Sequence, residues 1–260
     1  MNKTLVVALS ALSLAAVGAD ASTPRGMALD AFRAGEVVEF IGDSITHGGR
    51  QGDMNHYMGH GYAAEIASRA LGYCPDSRVI FLNRGISGNT TGDLLRRWDR
   101  DAVHPVASER GWDAAFPGVP RELKPDVLSI LIGINDSRHP DPARRVSADD
   151  YAKNLEELVS RALAENPSLV IVLCEPFHLP VDSSEDFLRR QAVAREVANR
   201  HGLCFVDFQR LFSETLAREN PNSGYWFWDD FHPTYAAHIR MADYWLEKVG
   251  AYRAAHSGEK

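Results

Sequence analysis

Hydrophobic positions along this chain fall into short, nearly unbroken runs separated by longer segments with helical spacing. The runs Val37-Val38-Glu39-Phe40-Ile41, Val79-Ile80-Phe81-Leu82, Val127-Leu128-Ser129-Ile130-Leu131-Ile132, Leu169 to Leu173 and Leu203-Cys204-Phe205-Val206 predict five strands. Between and after them, Gly61 to Leu71, about Thr91 to Asp99, residues 147–165, Glu185 to Arg200 and Tyr235 to about Val249 predict helices. Ser147, three positions before Asp150, is a capping signal for the third of these. Runs that are continuously apolar, rather than alternating, indicate strands buried on both faces of a parallel sheet. Alternation of strand and helix then gives a three-layer α/β/α domain around a central parallel five-stranded sheet. In such sheets ligands bind beyond the carboxyl ends of the strands, so chemistry is expected in the residues just after each run.

Composition adds boundaries to this picture. With 260 residues, 45% hydrophobic and 24% charged, the chain has ordinary globular content, which argues against disorder, collagen-like repeats and coiled coil. Its 28 Lys+Arg against 35 Asp+Glu give a net charge of −7, and so no electrostatic reason to bind nucleic acid or anionic lipid. At the start, Lys3 precedes an apolar run from Leu5 to Val17 and then Ala19-Asp20-Ala21. That order predicts a secretory signal peptide, residues 1–21, cleaved after Ala21. The run is too short for stable membrane insertion across a ~30 Å hydrocarbon core, and no later segment approaches membrane length. A single exported domain over residues 22–260 is expected. Cys74, Cys174 and Cys204 make an odd count. Cys174 ends one predicted strand and Cys204 begins the next, so the pair is expected to lie too far apart for a disulfide, leaving buried thiols.

The residues after the runs are informative. Gly42-Asp43-Ser44 follows the first strand, Asn83-Arg84-Gly85-Ile86-Ser87-Gly88-Asn89-Thr90 the second and Gly133-Ile134-Asn135-Asp136 the third, while Asp229-Asp230-Phe231-His232-Pro233 precedes the last helix. A serine hydroxyl needs a base to become a nucleophile, and a carboxylate three residues before a histidine can fold back to orient its ring. Asp229 has that spacing from His232, with Asp230 as the competitor. In these four ordered blocks, from about Val37 to Val249, the chain resembles the SGNH, or GDSL, hydrolase superfamily, and within it the secreted carbohydrate O-acetylesterases. The resemblance implies a flavodoxin-like fold and a serine esterase. It implies a catalytic triad of Ser44, His232 and Asp229, and an oxyanion hole of the Ser44 and Gly88 amides with the Asn135 side chain. Gly85 is the rival for Gly88 and is expected to serve as the turn residue instead.

Other signals change the picture less. His56 and His60 have the spacing of a metal pair, but Gly59 and Gly61 favour a loop, and neither a metal nor a cofactor is called for. Tyr225-Trp226-Phe227-Trp228 is suited equally to walling a cleft and to filling a core. Arg96, Arg97 and Arg100 read as a solvated helix face. The loop from Arg50 to Tyr57 mixes charged, amide and aromatic groups, which suits a hydroxylated ligand. The expected substrate is an acylated carbohydrate or glycan bearing short, O-acetyl esters. A lipid or broad-specificity carboxylesterase is the enzymatic alternative, and a non-catalytic glycan-binding protein the alternative of another class. Oligomeric state is not legible.

Overall fold

Five parallel strands frame the molecule: β1 (Val37–Gly42), β2 (Ile80–Asn83), β3 (Val127–Leu131), β4 (Val170–Cys174) and β5 (Cys204–Val206). Their order is β2-β1-β3-β4-β5, the flavodoxin-like arrangement in which the chain reverses direction of travel at β1 and β3. The computed structural model describes residues 23–50, 57–103, 123–178 and 184–257. The expected signal segment therefore lies outside the described residues, as do His56 and most of the loop beginning at Arg50.

The near-continuous apolar runs have the expected cause. Val38 and Phe40 of β1, Val127 and Leu131 of β3, and Val172 and Cys174 of β4 enter one core with α1 (Pro24–Ala31), α3 (Tyr62–Tyr73), α8 (Phe208–Arg218) and α10 (Tyr235–Ala255). Ile41, Leu128, Ile130, Ile171 and Leu173 enter a second core with α4 (Thr91–Trp98), α6 (Ala148–Glu165) and α7 (Glu185–His201). Successive strand residues point to opposite faces, so a sheet covered on both sides needs apolar residues at nearly every position. Ser129 is the exception in β3. It faces the first core, where its hydroxyl accepts a hydrogen bond from Trp245 Nε1 at 3.1 Å.

Helix starts follow side-chain capping. Thr90, Ser147, Ser184 and Thr234 each accept a first-turn amide, opening α4, α6, α7 and α10, which satisfies donors that have no intrahelical partner. Short helices escaped the sequence reading: α2 (Ser44–His47), α5 (Ile134–Arg138) and α9 (Ser223–Trp226) are too brief to show a period, and α1 and α8 were also missed. The three cysteines are free and buried. Cys204 stands opposite Val172, and Val206 opposite Cys174. The two thiols thus stand at opposite ends of the paired stretch, as expected, offset by two residues along neighbouring strands.

Candidate active site

The carboxyl ends of β1, β2 and β3 deliver three of the sequence blocks to one edge of the sheet. Asp43 caps the short helix α2 by accepting the Ile45 amide at 3.0 Å, so Ser44 is the first residue of that helix and not its cap. Ser44 Oγ lies 2.9 Å from His232 Nε2. His232 Nδ1 in turn lies 2.7 Å from Asp229 Oδ2. An ionised carboxylate only accepts, so Nδ1 carries the ring proton and Nε2 presents its lone pair to the serine hydroxyl.

The loop that holds this histidine is tied by its own backbone. Asp229 Oδ1 accepts the Phe231 and His232 amides at 2.9 and 2.8 Å. The Trp228 amide donates to the His232 carbonyl and the Thr234 amide to the Trp226 carbonyl. Partial burial works against the charge on Asp229, but the bonds from the His232 ring and the two amides outweigh it and hold this carboxyl below its ordinary range. Asp229, not Asp230, is the residue that meets the ring.

On the other side of Ser44, residues 86–89 form a turn closed by the Asn89 amide on the Ile86 carbonyl at 3.1 Å. Gly88 occupies it with φ +76°, a conformation that favours glycine. Gly85 is not the turn residue expected from sequence. A Cβ there would lie 2.3 Å from the His47 amide nitrogen, so glycine is required for close approach to α2. Asn135, in the first turn of α5, donates from Nδ2 to the Asn89 carbonyl at 3.0 Å, leaving its second amide proton for another acceptor. Asn83, at the end of β2, donates to the carbonyls of Thr46 and Met58 and accepts the Gly85 amide. Asp136 accepts from the Thr91 amide and hydroxyl. Burial pushes Asp136 up to about 6 against those bonds, and pushes Asp43 up to about 7.

A cavity of about 300 Å³ opens beside Ser44 and His232, walled by His60, Trp228, Tyr235 and His238. Trp228 and Tyr235 are 68% and 61% exposed, whereas Trp226 and Phe227 are buried. The aromatic stretch therefore divides: its middle fills the core, and Trp228 faces the cleft. His238 Nδ1 accepts the Tyr62 amide at 3.1 Å, which places its proton on Nε2. Burial, with His60 and His232 nearby, pushes it down to about 4, so it is neutral at ordinary pH. A larger concavity of about 450 Å³ lies between α1 and α10, away from all of these residues.

The model of the GDSL-like lipase/acylhydrolase family matches residues 40–239. The chain belongs to that family. Like other members of the SGNH esterase superfamily, it is a carboxylic ester hydrolase. It is 33% identical over 233 residues to an acetylxylan esterase of Geobacillus stearothermophilus, covering 84% of this chain and 95% of that one. The crystal structure of Axe2, an acetylxylan esterase of that organism, superposes with a TM-score of 0.69 at 30% identity over 85% of this chain and 96% of that one. An α/β hydrolase from the metagenome of Lake Arreo, Spain, also gives 0.69 at 30% identity over 85% and 98%.

Two residues beside this site, Arg97 and His238, have surroundings that the local sequence does not display. Arg97 is buried, at 9% exposure, and not part of a solvated face; only Arg96 and Arg100 are, with side chains 71% and 69% exposed. His238 carried no local signal, because its partner Tyr62 is 176 positions away in sequence.

Proposed function

We propose that this esterase removes O-acetyl groups from carbohydrates, with Ser44 as nucleophile, His232 as general acid and base, and Asp229 as its orienting carboxylate. The observation that carries the reading is the line from Ser44 Oγ through His232 to Asp229, at 2.9 and 2.7 Å. Ser44 Oγ attacks the acyl carbon as its proton passes to His232 Nε2. The Ser44 and Gly88 amides and the Asn135 side chain stabilise the oxyanion that forms. Collapse expels the sugar alkoxide, which takes the proton from His232. Water, deprotonated by the same histidine, then cleaves the acyl-enzyme to acetate and free Ser44.

Two features support the carbohydrate half. The acetylxylan esterase relative acts on an acetylated polysaccharide, and the cleft beside Ser44 carries exposed Trp228 and Tyr235 with His60 and His238, aromatic and polar groups suited to sugar faces and hydroxyls. A fatty acyl chain gains only by burying methylenes, at about 0.8 kcal/mol each, and His60, His232 and His238 interrupt the apolar wall here. Export through residues 1–21 belongs to the same reading, since a polysaccharide substrate lies outside the cell.

The test is hydrolysis of acetyl, butyryl and octanoyl esters beside acetate release from O-acetylated xylan. We expect kcat/KM to fall along that acyl series and acetate to be released. An octanoyl ester preferred tenfold or more over acetyl would overturn the carbohydrate reading in favour of a lipid esterase.

A further inference from the structure

We propose that Arg97 is a positioning residue that sets the oxyanion-binding turn against the nucleophile, an inference that rests on the roles proposed for Ser44, Gly88 and Asn135. Its guanidinium has three separate acceptors. Nε donates to Asn89 Oδ1 at 2.8 Å, Nη2 to the Gly42 carbonyl at 3.2 Å and Nη1 to Asp101 Oδ2 at 2.7 Å.

Each acceptor belongs to a different part of the site. Gly42 ends β1, two residues before Ser44, and its carbonyl also accepts the Ile86 amide at 3.0 Å. Asn89 closes the turn that carries Gly88, and its own carbonyl holds Asn135 Nδ2. One side chain therefore references the strand that presents Ser44, the turn that presents Gly88 and the residue that orients Asn135. Asp101 is the anchor. It lies in the wider helical turn Asp99–Val103 that continues α4, and Arg100 also donates to it, from Nε to Oδ1 at 2.7 Å and from Nη2 to Oδ2 at 3.0 Å. Such widened turns often mark functional positions. A lysine could keep the ion pair with Asp101 but could not reach all three acceptors, because only guanidinium has the planar fork.

Misplacing the donors weakens binding of the transition state while leaving binding of the ground-state ester intact, so the signature is a loss in kcat at constant KM. The experiment compares wild type, Arg97→Lys, Asn89→Ala and the double variant on an acetyl ester, with fluorophosphonate labelling of Ser44 in wild type as the reference. Asn89→Ala leaves the Arg97–Asp101 pair in place, and so reports even where Arg97→Lys does not fold. We expect kcat to fall about tenfold or more in each single variant, with KM within about twofold and the pH midpoint of kcat/KM unmoved. The double variant should be no more than about twofold below the worse single, because both break one device. Turnover within twofold of wild type in the folded variants, a loss confined to KM, or losses that multiply would overturn the assignment. Failure of wild type to label at Ser44 would instead sink the nucleophile reading on which it rests.

Discussion

Two arms meet at Ser44, and they are built on opposite plans. Asp229 and His232 stand three residues apart in one loop, with side chains 50% and 38% exposed, and the backbone of that loop holds them. The arm on the far side is assembled from the ends of three strands. Its supports, Asn83, Asn89, Arg97 and Asp136, are all buried. An arm that is local and exposed can be altered without disturbing the core. An arm made of buried, long-range hydrogen bonds ties the accuracy of the site to the stability of the fold, since a buried polar group left unpaired costs about 1–3 kcal/mol.

The largest expected effect breaks the exposed arm. Ser44→Ala and His232→Ala should each lower kcat by about 10⁴-fold or more, and the double variant should lose little more, because the nucleophile and base proposed here would act as a unit. Neither should weaken folding appreciably, which urea unfolding would show. Near-normal turnover in Ser44→Ala would remove the basis of the comparison. The buried arm should behave differently. Asn135→Ala is expected to lower kcat by about 10²–10³-fold with KM little changed, and also to cost on the order of 1 kcal/mol of stability, since the Asn89 carbonyl loses its donor. A loss in KM alone would make Asn135 a ground-state binding residue.

The same contrast explains what could be read from the chain. Asp229 and His232 were legible because their relation is a spacing of three, a local property that sequence displays. Ser44, Gly88 and Asn135 were legible because the parallel sheet gathers strand ends on one edge and the resemblance to SGNH hydrolases singled them out among the residues there. Their supports were not legible. Arg97 sits between Arg96 and Arg100 in a charged stretch, and nothing local reveals that Gly42, 55 positions earlier, accepts one of its protons. Gly85 and Gly88 both lie in a loop, and only the packing of His47 against Gly85 tells close approach from turn. The aromatic stretch 225–228 resisted for a similar reason. Trp226 and Phe227 turn into the core while Tyr225 and Trp228 stay exposed, at the end of a short helix that shows no period.

The smallest effect on catalysis, and the clearest on stability, concerns Glu39. It is fully buried on β1, on the face toward α4, and among the described residues neither carboxyl oxygen has a hydrogen-bond partner. Burial pushes Glu39 up to about 8 from its ordinary 4.5, with Arg84 and Arg97 pulling down and Asp101 pushing up. The folded protein therefore keeps this proton through a pH range in which the unfolded chain has released it. What this group contributes to stability is fully present below pH 4.5 and is lost progressively as pH rises toward 8. Asp43, raised from 3.8 to about 7, adds a term of the same sign over an overlapping range. Asp229, on the exposed arm, has the opposite sign. Its carboxyl is held low, so what it contributes is present above the ordinary carboxylate range and is lost only in acid. Glu39→Gln keeps the shape of the protonated side chain and removes its titration. The variant should match wild type in urea unfolding near pH 5 and exceed it at pH 8.5, with a shallower decline between those values, to which the other raised carboxyls, Asp43 and Asp136, contribute. Parallel curves for the two proteins would mean that Glu39 is ionised in the fold, held by the guanidinium groups around it, and that this buried region is organised by ion pairs and not by a neutral acid.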